Sequence, residues 1–436
     1  MQMLLKGGQN KIRIGLDLHN LSTVHDKVVR TGIQQVVFYL LEAQHWFRTN
    51  SSSSQVEIVP LPMLPWSEAP DTIFSDIHPA HVNNSSLVLQ DTAAELDILP
   101  KILWRSEELN DEPLWTEGNY YSAVRDLDWL IITGLCEFRH VAELLRRINP
   151  KVRFAVLVYD LIPFLRPELT DGGVPWWFHQ AYLPSIRHFA DLIFTISRNT
   201  ALDTLQIIEN TIKSKIPIFA TQLPDEIPEL MDVNAPWNEW GQAGIKQKRY
   251  FVCLGTIEPR KNLILAIRGF VRYLDIFPEI SRDFKLVIVG KKGWNREDEA
   301  LTEEIQKHSN YFYFTGYLPK SKVEQILIHA KALLMPSRYE GYGMPLTLAR
   351  EFGIPVITCV NSSLPEASRL NATFVPVDSV DSMALALGQS ALIEKNLSVD
   401  NKLLDNLKVK TRQEWRNLLR NWIDILVSYQ HSSLPE

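Results

Sequence analysis

Short apolar runs recur along this chain, each followed by a longer stretch with helical spacing, and the alternation happens in two separate blocks. Such a rhythm demands parallel sheets covered by helices, because two parallel strands need a crossover between them. In the first block, residues 12–18, 56–61, 129–133, 154–158 and 192–196 read as buried strands, with helical patterns at 32–47 and 137–148. Pro224, Pro228 and Pro236 and the polar stretch 238–249 then interrupt the pattern. It restarts with strands at 250–254, 284–289, 311–315, 332–335, 355–358 and 373–376, separated by helical patterns at 263–273, 298–308, 320–330 and 345–352. A last amphipathic stretch, 411–429, sets Trp415, Leu418, Leu419, Trp422, Ile423 and Leu426 on one helical face. The expected division is residues 1–235, a linker at 236–248, a second domain at 249–405 and a closing helix within 406–436, packing back toward the first domain.

A length of 436 residues accommodates two such domains. The 45% hydrophobic and 22% charged content rules against intrinsic disorder. With 45 Lys and Arg against 51 Asp and Glu, the net charge of −6 disfavours a nucleic-acid partner, which calls for a basic face. Cys136, Cys253 and Cys359 are too far apart for a disulfide framework or a CxxC metal site. The apolar stretch between Met1 and Lys6 is too short for a signal-peptide core. The most apolar run, 154–165, is short of a bilayer span and contains Asp160. A cytoplasmic protein is expected, and contact with the inner face of a membrane stays open.

Open parallel sheets bind ligands beyond the carboxyl ends of their strands, and two of them face to face create a cleft. Two loops there have suitable chemistry. Residues 250–254 run into Gly255-Thr256-Ile257-Glu258-Pro259-Arg260-Lys261-Asn262, with a helical pattern from Leu263. Two cations at a helix start are unfavourable by themselves and make an anion site together with the helix N–H groups; the plain alternative is a solvated loop. Residues 332–335 run into Pro336-Ser337-Arg338-Tyr339-Glu340-Gly341-Tyr342-Gly343-Met344, where glycines let backbone approach a ligand and Glu340 could accept from sugar hydroxyls. Asp126-Leu127-Asp128 is a DxD that precedes its strand and reads as a surface turn, and the histidines show no HxxxH pairing.

The stretch Glu340 to Ile357, EGYGMPLTLAREFGIPVI, resembles the signature of the family 4 retaining glycosyltransferases (glycosyltransferase group 1). Matches in the same order are the 255–262 loop, Val289 to Trp294, Phe314 to Leu318 and Leu364-Pro365-Glu366. In the first block, Arg30 to Val37, Tyr159-Asp160-Leu161-Ile162-Pro163 and Ile196-Ser197-Arg198 also match. The resemblance implies an α/β chain of GT-B type, with two Rossmann-like domains facing across a cleft. It implies transfer of a sugar from a nucleotide-diphosphate sugar to a saccharide or lipid-linked saccharide in polysaccharide assembly, with retained configuration. The donor is a substrate, and neither a cofactor nor a metal is implied.

By the same resemblance, Glu340, Lys261, Arg260 and Asp160 are the expected catalytic residues: the cations hold the diphosphate and Glu340 meets the sugar. Substrate contacts fall on Thr31, Gly32, Tyr159, Ser197, Gly255, Gly316, Tyr317, Leu318, Gly341, Tyr342, Gly343, Met344 and Glu351. Gly32 approaches the diphosphate across the cleft, and residues 316–318 meet the base. Three positions depart from the family pattern. Leu348 stands where a second glutamate holds the ribose, with Glu351 one helical turn on as a substitute. Tyr159 replaces a histidine, and Thr256 replaces a phosphate-binding arginine. A non-catalytic nucleotide-sugar-binding subunit is therefore the second expectation, and an epimerase or phosphorylase on the same fold the third.

Overall fold

The computed structural model describes residues 11–17, 32–50, 56–61, 123–134, 138–209, 216–230, 232–291, 293, 299–393 and 399–430. Thr31 lies outside these residues, as do Lys292 and Trp294 of the 289–294 motif. Twelve strands form two six-stranded sheets, each wholly parallel in the described pairings. The first holds β1 (Ile12–Asp17), β2 (Val56–Leu61), β3 (Trp129–Ile132), β4 (Arg153–Val158), β5 (Leu192–Thr195) and β6 (Ile218–Ala220) in the order β2-β1-β3-β4-β5-β6. The second holds β7 (Tyr250–Leu254), β8 (Lys285–Val289), β9 (Phe312–Gly316), β10 (Ala332–Met335), β11 (Val356–Cys359) and β12 (Thr373–Val375) in the order β12-β11-β10-β7-β8-β9. Counted from its own first strand, the second sheet has the 3-2-1-4-5-6 order of dinucleotide-binding folds.

Eleven of these strands fall where the apolar runs lie. β6 is the exception: two half-buried residues and an exposed one give no buried run to read. The central strands are apolar along their whole length because helices cover both faces, as the fully buried WLII of β3 and ALLM of β10 illustrate.

In helix α1 (Gly32–Asn50) the run Val36 to Leu41 is buried on every side. Further helices are α2 (Arg139–Ile148), α3 (Arg198–Glu209), α4 (Leu263–Ile276), α5 (Lys320–His329), α6 (Met344–Glu351), α7 (Val380–Leu392) and α8 (Asn401–Gln430). α1 is covered by α8, which returns from the second domain. The apolar face read from the sequence is the seam: Trp415 packs on Tyr39, and Trp422 stacks on Phe194 at 4.7 Å. Arg412 pairs with Glu42, and Arg153 Nη1 donates to the carbonyl of Tyr429. One hydrophobic core thus runs from the first sheet through α1 and α8 into the second domain, while the opposite face of the first sheet has its own.

The segment expected as a linker is partly structured: Trp237, Trp240 and Ile245 pack into the second domain, and Trp237 stacks near Tyr250. The DxD carboxylates are structural, since Asp128 accepts from the Arg13 N–H and Asp126 pairs with its guanidinium. No helix among the described residues is long and apolar enough to cross a membrane.

Candidate active site

The order of the second sheet fixes where its chemistry gathers. Successive crossovers run in opposite directions from β7 and β10, so the loops after these two neighbours flank a crevice. They are the two loops singled out from the sequence. The first makes a tight turn at 259–261, and Asn262 takes a left-handed conformation (φ 53°) before α4. Its side-chain Nδ2 donates to the carbonyls of Pro336 (3.1 Å) and Val377 (2.9 Å), and Arg338 N donates to Arg260 O (2.8 Å). The two loops are stitched into one unit.

At its centre is Glu340, whose side chain is 8% exposed. Its carboxylate accepts from Lys261 Nζ at 2.7 Å, from Ser337 Oγ at 2.8 Å and from Arg260 Nη1. The backbone is held as well: Glu340 N donates to Ser362 Oγ, and Ser363 Oγ donates to the carbonyls of Glu340 and Tyr342. Arg260 also pairs with Glu258 and donates to Tyr339 O.

Burial would push the Glu340 carboxyl up, but Arg260 and Lys261 outweigh it and hold the group down at about 2. Burial lowers the Lys261 ammonium, with Glu340 opposing. Burial likewise disfavours the Arg260 charge, but Glu340, Glu258 and Asp160 more than offset it. Asp160 is raised by burial against the pull of Arg260. Carboxylates thus more than offset the burial of the Arg260 charge and offset part of that of Lys261, in surroundings where an anion would feel both strongly.

The first domain closes over this unit. Gly341 lies so near β4's end that a Cβ would sit 2.6 Å from Tyr159 O and 3.0 Å from Asp160 Cβ, so only glycine permits the approach. Thr200 Oγ1 lies 3.2 Å from both Tyr159 O and Gly341 O, bridging the domains. Ser197 caps α3, its Oγ accepting from Thr200 N at 3.0 Å. Gly32 opens α1. Gly343 takes φ 104° at the start of α6, a conformation that side chains resist.

Other expected contacts are placed as follows. Gly255 lines a small pocket with Lys261, Leu254, Met335 and Ser337 beneath the first loop. Gly316 and Tyr317 are exposed at the end of β9, and Leu318 packs on the core. Met344 is partly buried, while the Tyr342 phenol turns away to donate to Leu223 O (2.7 Å). The Tyr159 hydroxyl donates to Thr133 O at 2.8 Å, beneath the sheet end. Leu348 is 4% exposed and belongs to the core. The Glu351 carboxylate is engaged by Lys410 of α8 at 2.8 Å, with Arg350 at 3.6 Å, and is held on the side that meets the closing helix.

Sequence reasoning missed Ser337, although it stands three residues before Glu340. It also missed Asn199 and Asp203, one helical turn apart just past Ser197, which reach across to Tyr339. Among the described residues no cluster of three His, Cys, Asp or Glu is placed to hold a metal ion.

Residues 238–414 match the family model described as "Glycosyl transferases group 1". The O-antigen chain mannosyltransferase B of Escherichia coli is 25% identical over 208 residues, covering 46% of this chain and 51% of that protein. The serotype-specific mannosyltransferase WbdA of Escherichia coli is 25% identical over 292 residues, covering 61% of this chain and 33% of that protein. The chain thus spans about half the length of the first relative and a third of the second. A glycosyltransferase from Rickettsia africae has a similar structure, with a TM-score of 0.57 at 11% identity, covering 97% of this chain and all of that one. The two-domain α/β architecture is the GT-B fold, and the sequence matches support the group 1 glycosyltransferase resemblance.

Proposed function

We propose that this chain, whose second half matches the group 1 glycosyltransferases, is a retaining transferase of family 4. It moves a sugar, mannose first among the candidates given its relatives, from a nucleotide-diphosphate donor to a saccharide or lipid-linked saccharide in polysaccharide assembly. The observation that carries the reading is the Arg260–Lys261–Glu340 constellation, gathered by two stitched loops at the switch point of the second sheet. Departure of a nucleoside diphosphate develops negative charge, and fixed cations in a dry crevice stabilise it without reorganising. Arg260 and Lys261 are the groups for that work, and Glu340 exchanges its cationic partners for sugar hydroxyls as the diphosphate arrives. The site needs no metal for this step, since the cations already supply the counter-charge.

The test is incubation of the purified protein with GDP-mannose, UDP-glucose, UDP-galactose and UDP-N-acetylglucosamine plus saccharide acceptors, with and without a chelator. Nucleoside diphosphate release, together with a product of retained anomeric configuration by NMR, is expected in both conditions. A second reading, a nucleotide-sugar-binding subunit without turnover, is favoured by one observation. Neither Leu348 in the core nor Glu351 on Lys410 offers a carboxylate for a ribose. Donor binding without hydrolysis or transfer would establish it.

A further inference from the structure

The residue just before Glu340 is shared between the domains. Tyr339 Oη donates to Asp203 Oδ2 at 2.7 Å and accepts from Asn199 Nδ2 at 3.1 Å, both on the first turns of α3 in the other domain. Asn199 and Asp203 are joined to each other at 2.9 Å, so the three polar groups close a ring. On the main-chain side, the Tyr339 carbonyl accepts from Arg260 Nη1 at 3.2 Å. The same guanidinium holds Glu340, and the next peptide carries the Glu340 carboxylate.

A second contact flanks this one. Glu366 accepts from the N–H of Arg198 at 3.1 and 3.2 Å, lending a carboxylate of the second domain to the N-terminus of α3. Burial raises both the Tyr339 phenol, to about 12, and the Asp203 carboxyl. At neutral pH the phenol is thus un-ionised and able to donate.

We propose that Tyr339 is a positioning residue that ties the approach of the two domains to the placement of Arg260 and Glu340. Its ring is fastened to α3 and its peptide to Arg260. When the domains separate, the Asp203 bond breaks, and the peptide bearing Glu340 loses the tether that aims it. When they close, the same bond sets the carboxylate and the guanidinium together. The proposal rests on the glycosyl-transfer reading for its kinetic consequence, but not for its structural one.

Two variants test it, Tyr339→Phe, which removes one oxygen and keeps the ring, and Asp203→Ala. The structural arm uses spin labels on the exposed positions Lys151→Cys and Leu385→Cys in a Cys136→Ser background, Cys253 and Cys359 being buried. In the parent, one interdomain distance should dominate; in each variant the distribution should broaden toward longer separations. In the kinetic arm, kcat for transfer should fall about tenfold or more, the loss expected for one hydrogen bond to a carboxylate. Affinity for GDP and UDP should fall by less than kcat does, because Lys261, held by Glu340 Oε1, and the turn of residues 259–262 lie within the second domain. The double variant should be no worse than the poorer single, since both cut the same tether. An unchanged distance distribution, or losses that add in the double variant, overturns the proposal. If the parent transfers no sugar from any donor, the glycosyl-transfer reading fails instead, and the distance measurement still decides the tether.

Discussion

Glu340→Gln separates two jobs of one carboxylate, counter-ion to Arg260 and Lys261 and the proposed contact for the sugar. The side chain is 8% exposed and takes three side-chain donors. Its fall from the ordinary 4.5 to about 2 corresponds to about 3 kcal/mol in favour of the charged form, at 1.36 kcal/mol for each tenfold change. Glutamine keeps the shape and removes the charge, so the variant should lose about 3 kcal/mol, in line with breaking a buried ion pair. The sign follows from a depressed folded-state value. The stabilisation is full above pH 4.5 and vanishes as pH falls toward 2, so variant and wild type should converge in acid. The functional consequence runs the other way. With the carboxylate gone, Arg260 keeps Glu258 and Lys261 loses its anionic partner, so GDP and UDP should bind as tightly or more tightly. Transfer should fall about a hundredfold or more, the scale for losing one preorganised polar contact at a reacting centre. Denaturant unfolding across pH 2–7 and calorimetric titration with GDP and UDP provide the two measurements. Unchanged stability at pH 7 together with weaker diphosphate binding would refute the counter-ion argument.

Lys261→Ala should instead weaken GDP or UDP binding by about 1.5–3 kcal/mol, the range for a charge-assisted hydrogen bond, as titration of the folded variant would show. Gly341→Ala places a methyl 2.6 Å from Tyr159 O; we expect transfer to drop while GDP affinity holds, with about 1–3 kcal/mol of overpacking strain in unfolding experiments. Glu324 on α5 accepts from the N–H groups of Glu229 and Leu230, near Lys320, and burial raises it to about 7. Because its folded value is raised above 4.5, its contribution is full below pH 4.5 and lost as pH rises through 7. Glu324→Gln should therefore flatten the pH dependence of stability between pH 5 and 8. Leu348→Glu would bury a carboxylate among apolar neighbours and should cost about 3 kcal/mol or more rather than create a ribose contact, as thermal unfolding would reveal.

The strands and the two chemical loops were legible because each rests on local sequence: an apolar run for a buried strand, cations and glycines at its end. The meeting of those loops was also accessible, since the alternating pattern implies a doubly wound sheet with a switch point. What escaped was set by tertiary contacts. Nothing local says that Glu351 turns to Lys410, 59 residues away, or that the Tyr342 phenol reaches Leu223. Asn199 and Asp203 were invisible as site residues because their partner, Tyr339, is on the other domain. β6 was missed because a short half-exposed edge strand has too few buried positions to leave a period.

The return of α8 has a consequence for how the protein is made. The inner face of the first sheet is completed by Trp415 and Trp422, residues that leave the ribosome after the whole second domain has done so. Until then Tyr39 and Phe194 lack the tryptophans that cover them, and a nascent first domain presents an unsealed apolar wall. Domains ordinarily fold in the order of synthesis, but here the earlier half waits for the later one. Translation that stalls after residue 400 would release a chain with a finished second sheet and an unsealed first one. The helix that looks like an appendix to the second domain is thus the step that commits the first.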